Sequence, residues 1–251
     1  MIVHPSRDVL VAAAAARLMT RIVDAQLARG NASVVLTGGG VGTAVLRALR
    51  ESPARDAIDW PQVDVWWSDE RFLPSGDPER NETQAREALL DHVPLEPKRV
   101  HPMPASDGQD GNDPEAAAAR YAAELAAHAR PGMSLPQFDV LLLGVGEEGH
   151  VASIFPASPA AYDVRPVVAV RGCPKPPPVR ITFTFTAINS ADEVWLLAAG
   201  AAKATAVGMA LSGAGPIQVP AAGAKGGIRT LWLLDRDAAA QVPLGLRSLR
   251  L

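Results

Sequence analysis

Cysteine is nearly absent from this chain: Cys173 is the only one in 251 residues. An internal disulfide and any cysteine-rich zinc site are therefore excluded, and Cys173, in the loop RGCPKPPP, reads as a free thiol. Net charge is small as well. The 24 Lys and Arg against 27 Asp and Glu leave −3 with histidine neutral, which gives no basic field for nucleic acid or an anionic membrane. Any anionic ligand must meet a local cluster of cations instead. Long apolar runs are missing too. Val9 to Ala16 falls far short of the ~20 residues that span a bilayer. The opening stretch MIVHPSRDVLVAAAAARL lacks the basic, apolar, then small order of a signal peptide, so a soluble cytoplasmic protein is expected. No H-E-x-x-H occurs and the five histidines are scattered, which argues against a metal site. No serine has glycines at both −2 and +2, so the nucleophile elbow of serine hydrolases is absent.

What the chain does have is apolar content of 48%, enough for a sizeable core, with no fixed-period repeat or long linker to divide it. Residues 1–251 are read as a single α/β domain. Val11, Ala14, Leu18, Ile22 and Ala25 follow helical spacing, with Ser6 as N-cap and Gly30 as stop. SVVLT (33–37) is a strand, followed by Gly38-Gly39-Gly40 and a helix over 42–50. VDVWWS (63–68) is a second strand, ending at Asp69-Glu70-Arg71. Helices follow over 82–90 and, opened by Pro114, over 114–129. Val140 to Leu143 is a continuous apolar run of the kind buried on both faces of a parallel sheet. RITFTF (180–185), EVWLLA (193–198) and TLWLL (230–234) complete the strands, with a helix containing Lys203 after Gly200. Strands alternating with helices imply a doubly wound, mainly parallel α/β sheet with helices on both faces, Rossmann-like in arrangement.

Right-handed crossovers place the strand-to-helix turns at one edge of such a sheet, where ligands bind. Four turns are gathered there: 37–43, 68–71, 144–150 and 200–203. The turn 144–149 matches G-x-G-x-x-G, but Glu147 and Glu148 put negative charge in the cradle, and Pro156 and Pro159 hold any following helix to about two turns. Dinucleotide binding is disfavoured on those grounds. TGGGVGT suits an anion cradle of backbone amides at a helix start. Lys203, in the first turn of a helix, is placed against the macrodipole unless an anion binds there. Arg71 and Arg180 are candidates for a phosphate clamp, although Arg71 could equally pair Asp69 or Glu70, and Arg180 could be an edge-strand charge. His150 alone among the histidines stands beside a glycine turn at a strand end. His4 lies near a terminus that reads as disordered, and His92, His101 and His128 on or beside helices and loops. Neighbouring carboxylates would hold the tautomer of His150 and raise its basicity, as a general base requires. What remains is acid–base chemistry on a small anionic substrate, without a covalent intermediate, cofactor or metal.

Four blocks together identify a family. They are Thr37-Gly38-Gly39-Gly40; WSDERFLP (67–74) with Asn81; LLGVGEEGHVASIFP (142–156); and Lys175-Pro176-Pro177 with Arg180-Ile181-Thr182, Gly200 and Lys203. The chain resembles the 6-phosphogluconolactonase family, cofactor-free hydrolases of the pentose phosphate pathway. The resemblance implies a sugar-phosphate lactone as the small-molecule substrate, no nucleic-acid or membrane partner, and a monomer or weak homodimer. It implies His150 as general base on the water that attacks C1, with Asp69 or Glu148 supporting it. Arg180, Lys203 and the Gly38, Gly39 and Gly40 amides would hold the phosphate, assisted by Arg71 and Asn81.

The chain departs from the family where Ser-Gly-Gly-Ser-Thr-Pro is usual, having Thr37-Gly38-Gly39-Gly40-Val41-Gly42. Thr43 or backbone amides would then replace two hydroxyls. Glu148 stands where aspartate is usual and Val151 where threonine is common. Glucosamine-6-phosphate deaminases share the Gly-His pair but continue toward Phe-Asn-Glu-Pro, whereas this chain reads Ala152-Ser153-Ile154-Phe155-Pro156. A sugar-phosphate sensor and a nicotinamide enzyme are the readings from other classes.

Overall fold

Residues 1–247 are described in a computed structural model. Strand β1 (Ile2–His4) takes up the N-terminus, so His4 lies in a sheet strand. Helix α1 (Arg7–Arg29) begins where the Ser6 hydroxyl accepts from the Val9 amide, and it stops at Gly30, whose φ of 81° is left-handed. Its buried stripe includes Leu10, Ala14, Leu18, Ile22 and Ala25, a spacing that faces one side of a 3.6-residue helix. Strand β2 (Ala32–Leu36) follows, then α2 (Gly39–Glu51), β3 (Val63–Trp67) and the short β4 (Asp69–Arg71).

Next come α3 (Asn81–Ala88), α4 (Pro114–Ala127), β5 (Val140–Gly144), β6 (Val167–Val170) and β7 (Arg180–Phe183). The chain continues through α5 (Phe185–Ile188), β8 (Glu193–Ala198), α6 (Ala204–Leu211), β9 (Arg229–Asp235) and α7 (Leu244–Arg247). The main sheet has six parallel strands in the order β1-β9-β8-β5-β2-β3. Both β2 and β8 are buried at every position, which is why they read as unbroken apolar runs. Among the described residues no helix is long and apolar enough to cross a membrane.

One part of the architecture departs from the sequence expectation. RITFTF does not join the parallel sheet. Its first four residues form β7, the middle strand of a separate antiparallel sheet, β4-β7-β6. The chain leaves β3 at Trp67, breaks at Ser68, and re-enters regular structure as β4 against β7. The antiparallel register pairs Arg71 with Arg180 and Asp69 with Thr182. Arg180 is therefore on a central strand rather than an edge, and two guanidinium-bearing residues far apart in sequence sit side by side.

Candidate active site

The four turns converge as the crossover argument requires. A cavity of about 190 Å³ is lined by Gly38, Gly39, Gly40, Asp69, Arg71, Asn81, His150, Arg180 and Lys203, among others. Two expected residues are outside it. Thr43 does not line the cavity. It is four residues into α2 from Gly39, hence roughly 6 Å further along the helix axis. Glu148 is also not part of the lining and stands behind the histidine.

The glycine turn places the N-terminus of α2 at the cavity wall. Gly38 is the N-cap and has no side chain to accept from the first helical amides, so those donors are available to an anion. Gly38 is needed for another reason. A Cβ there would lie 1.9 Å from Asn81 Oδ1. Asn81, at the start of α3, donates from Nδ2 to the Asp69 carbonyl at 2.9 Å. It thus locks the glycine turn against β4.

His150 follows a turn in which the Gly146 amide donates to the His150 carbonyl at 2.9 Å. Residues 145–158 contain no helix, so no helix N-terminus is available for a pyrophosphate at the G-x-G-x-x-G stretch. The imidazole Nδ1 is 3.0 Å from Glu148 Oε1, and Lys175 Nζ is 3.1 Å from Glu148 Oε2. Nδ1 is then the protonated nitrogen and Nε2 the basic one. The ring packs on Phe155 with centroids 4.4 Å apart. Burial lowers the pKa of His150 below the usual histidine value, outweighing the pull of the Glu148 carboxylate. Glu148 and Asp69 each raise its basicity, as expected from the sequence, but burial, which the sequence does not report, outweighs them. The consequence is a ring that stays neutral, and so able to accept a proton, to more acidic pH.

Of the two candidate carboxylates, Glu148 is the one in hydrogen-bond contact with His150. Asp69 is buried and held elsewhere: Ser153 Oγ donates to its Oδ2 at 2.6 Å, and Arg180 Nη1 is 4.0 Å from the same oxygen. Arg180 donates to the carbonyls of Lys175 at 3.0 Å and of Pro176 and Pro177 at 3.2 Å, across the cis Pro176-Pro177 bond. Arg71 pairs with neither Asp69 nor Glu70 through its guanidinium, which donates to the Glu79 carbonyl. Lys203 is half-buried, and burial lowers its pKa. It is set by Gly200, whose amide is 3.0 Å from both carboxylate oxygens of Asp235.

Several supporting residues had no role at the sequence level. Ser153 and Lys175 lie inside the quoted blocks, which was their only signal. Glu70 and Arg80 are both fully buried, 3.8 Å apart. Glu70 accepts from the amides of Arg71, Asn81 and Glu82 at 2.6–2.8 Å, and Arg80 donates to the Leu73 and Met103 carbonyls. Together they brace the loop between β4 and α3, from whose two ends Arg71 and Asn81 reach the cavity. Burial pushes the Glu70 carboxyl up to about 7, against the pull of Arg80 and the three amides.

Residues 5–232 match the family model described as glucosamine-6-phosphate isomerases/6-phosphogluconolactonase. The chain is 63% identical to a 6-phosphogluconolactonase of Streptomyces coelicolor, over 98% of this chain and 95% of that protein. It is 55% identical to one of Mycobacterium tuberculosis, over 96% and 97%. Among solved structures, the Trypanosoma brucei 6-phosphogluconolactonase is 27% identical and superposes with a TM-score of 0.80, covering 96% of this chain and 98% of that one. The chain belongs to the glucosamine-6-phosphate isomerase/6-phosphogluconolactonase family.

Proposed function

We propose that this chain hydrolyses 6-phospho-D-glucono-1,5-lactone to 6-phosphogluconate, the lactone step of the oxidative pentose phosphate pathway. The observation that carries the reading is one cavity holding His150, oriented by Glu148 at 3.0 Å, together with Arg71, Arg180, Lys203 and the start of α2. A general base and an anion clamp at a fixed separation suit a substrate whose phosphate is remote from its reacting carbon. The names of the bacterial relatives support the same substrate.

On this reading the phosphate binds Arg180, Lys203 and the Gly38 to Gly40 amides, with Arg71 assisting. That binding energy fixes C1 next to His150. Nε2 removes a proton from water as the water oxygen bonds to C1. Cations and amides of the cavity stabilise the oxyanion that forms. The C1–ring oxygen bond then breaks, the imidazolium returns its proton to the departing oxygen as a hydroxyl, and the new carboxylic acid ionises. Glu148 holds the ring in the required tautomer, while Asp69, Ser153 and Asn81 keep the two glycine-side walls in place. The chain would work as a single cytoplasmic domain, a monomer or weak homodimer.

The test is a pH-stat assay with freshly generated lactone and, in parallel, an ammonia-release assay with glucosamine 6-phosphate. Acid release well above the spontaneous rate, with no ammonia, is expected. Ammonia release without lactone turnover would overturn the proposal in favour of a deaminase.

A further inference from the structure

Lys175 touches both working parts of the site without lining the cavity. Its Nζ is 3.1 Å from Glu148 Oε2, the oxygen opposite the one that meets His150 Nδ1 at 3.0 Å. Its carbonyl accepts from Arg180 Nη2 at 3.0 Å. One residue thereby joins the carboxylate behind the base to a cation of the proposed phosphate clamp.

The backbone that carries Lys175 has little freedom. Residues 173–178 read Cys-Pro-Lys-Pro-Pro-Pro, with proline at four of six positions. Proline fixes its own φ and confines the residue before it to extended backbone, so Pro176 constrains Lys175. The Cys173 amide closes the loop by donating to the Pro178 carbonyl at 2.9 Å, and the Phe72 amide ties it to the end of β4 by donating to the Val179 carbonyl at 3.1 Å. Arg180, buried on the central strand β7, adds bonds to the Pro176 and Pro177 carbonyls. The lysine side chain therefore starts from a fixed point.

A fixed cation matters because Glu148 is long and partly solvated. Ordering a glutamate side chain costs entropy, and at 32% exposure water competes for its oxygens. His150 holds Oε1 only. A second hold on Oε2 stops the carboxylate from swinging away from the imidazole.

We propose that Lys175 is a positioning residue for the base: pinned by Arg180 through its carbonyl, it grips the distal oxygen of Glu148 so that the near oxygen keeps the His150 ring in place. This rests on the reading of His150 as the general base of lactone hydrolysis.

The surrounding charges set the sign of the effect. Burial, the largest influence, lowers the pKa of His150; Glu148 and Asp69 raise it, and Lys175 lowers it. Lys203 and Glu147 are the other charged groups near this pair. Removing Lys175 should thus move the acid limb of kcat/KM up, opposite to the shift expected for Glu148→Gln. The Lys175 side chain is 43% exposed, and ion pairs so open to solvent add little stability, so the thermal midpoint should hold.

The test compares Lys175→Met and Glu148→Gln, singly and together, with wild type in steady-state lactone hydrolysis. On the plateau above the acid limb, Lys175→Met should lower kcat about tenfold with KM held, a loss within the range for residues of one hydrogen-bond network. Added to Glu148→Gln it should cost little more, because Lys175 acts through Glu148. Lys175→Arg should restore most of the loss. Spectra of ¹⁵N-histidine-labelled protein, with the His150 signals assigned by His150→Ala, should show its titration moved up in Lys175→Met. Unchanged kcat and titration in Lys175→Met would overturn the proposal, as would the same loss on top of Glu148→Gln. A rise in KM with kcat held would also overturn it and make Lys175 a substrate-binding residue. The imidazole titration needs no lactone, so absence of wild-type turnover would refute the lactonase reading while the titration alone still decided whether Lys175 acts on His150 through Glu148.

Discussion

Replacing Gly146 by alanine adds one methyl group and removes no chemical function, which makes it a clean probe of His150 placement. A Cβ at Gly146 would lie 2.0 Å from His150 Nδ1, 2.3 Å from Cε1 and 2.7 Å from Cγ, and these are its three nearest atoms. Gly146 is not among the positive-φ glycines, so alanine is acceptable to the backbone itself and the whole conflict falls on the imidazole. Non-bonded heavy atoms settle near 3.5 Å, so the ring must retreat by about 1.5 Å. A displacement of about 1 Å costs on the order of 100-fold in rate, equivalent to about 2.7 kcal/mol of transition-state stabilisation. Steady-state hydrolysis of the lactone by Gly146→Ala should therefore show kcat down by about 100-fold or more. KM should hold, because the methyl group meets none of the cations. A wild-type kcat, or a loss expressed in KM alone, would refute the placement of His150 as the base.

Gly38→Ala is the counterpart on the phosphate side. Its Cβ would collide with Asn81 Oδ1 at 1.9 Å, so the start of α2 must shift and KM should rise more than kcat falls, as steady-state kinetics would show. The acid limb of kcat/KM should lie below pH 6.5, because burial depresses the pKa of His150. Glu148→Gln removes the carboxylate that opposes this shift, so its acid limb should move lower still while kcat falls; an upward move in the pH–rate profile would contradict the sign. Arg80→Met removes the buried cation beside Glu70 and Glu82 and frees the carbonyls of Arg71, Leu73 and Met103, and breaking such a buried pair costs about 3–5 kcal/mol. Urea denaturation should show a loss of that order, and a stability change below about 1 kcal/mol would mean that the pair contributes little.

The main sheet was legible because β2, β5 and β8 carry continuous buried apolar runs and each leads into a glycine turn. Ser6, Gly30 and Pro114 marked helix ends through local chemistry alone. The small antiparallel sheet was not legible as a separate layer. β4 has three residues and β7 four, too short for alternation to show which sheet they join. That sheet is what aligns Arg71 with Arg180, so the proposed clamp depends on a register that no local pattern encodes. The Glu70–Arg80 pair was hidden for a related reason: a buried ion pair bridging a loop looks, in sequence, like two surface charges. Glu148 and Asp69 could not be ranked as partners of His150 until distances separated them. The sign of the His150 shift required burial, which motif spacing does not report.

The most direct measurement is the hydrolysis of freshly generated 6-phosphogluconolactone by wild type and His150→Ala, each corrected for spontaneous opening. Fast wild-type turnover with a loss of about 100-fold or more in the variant is expected for a general base. Turnover unaffected by the substitution would contradict the central claim.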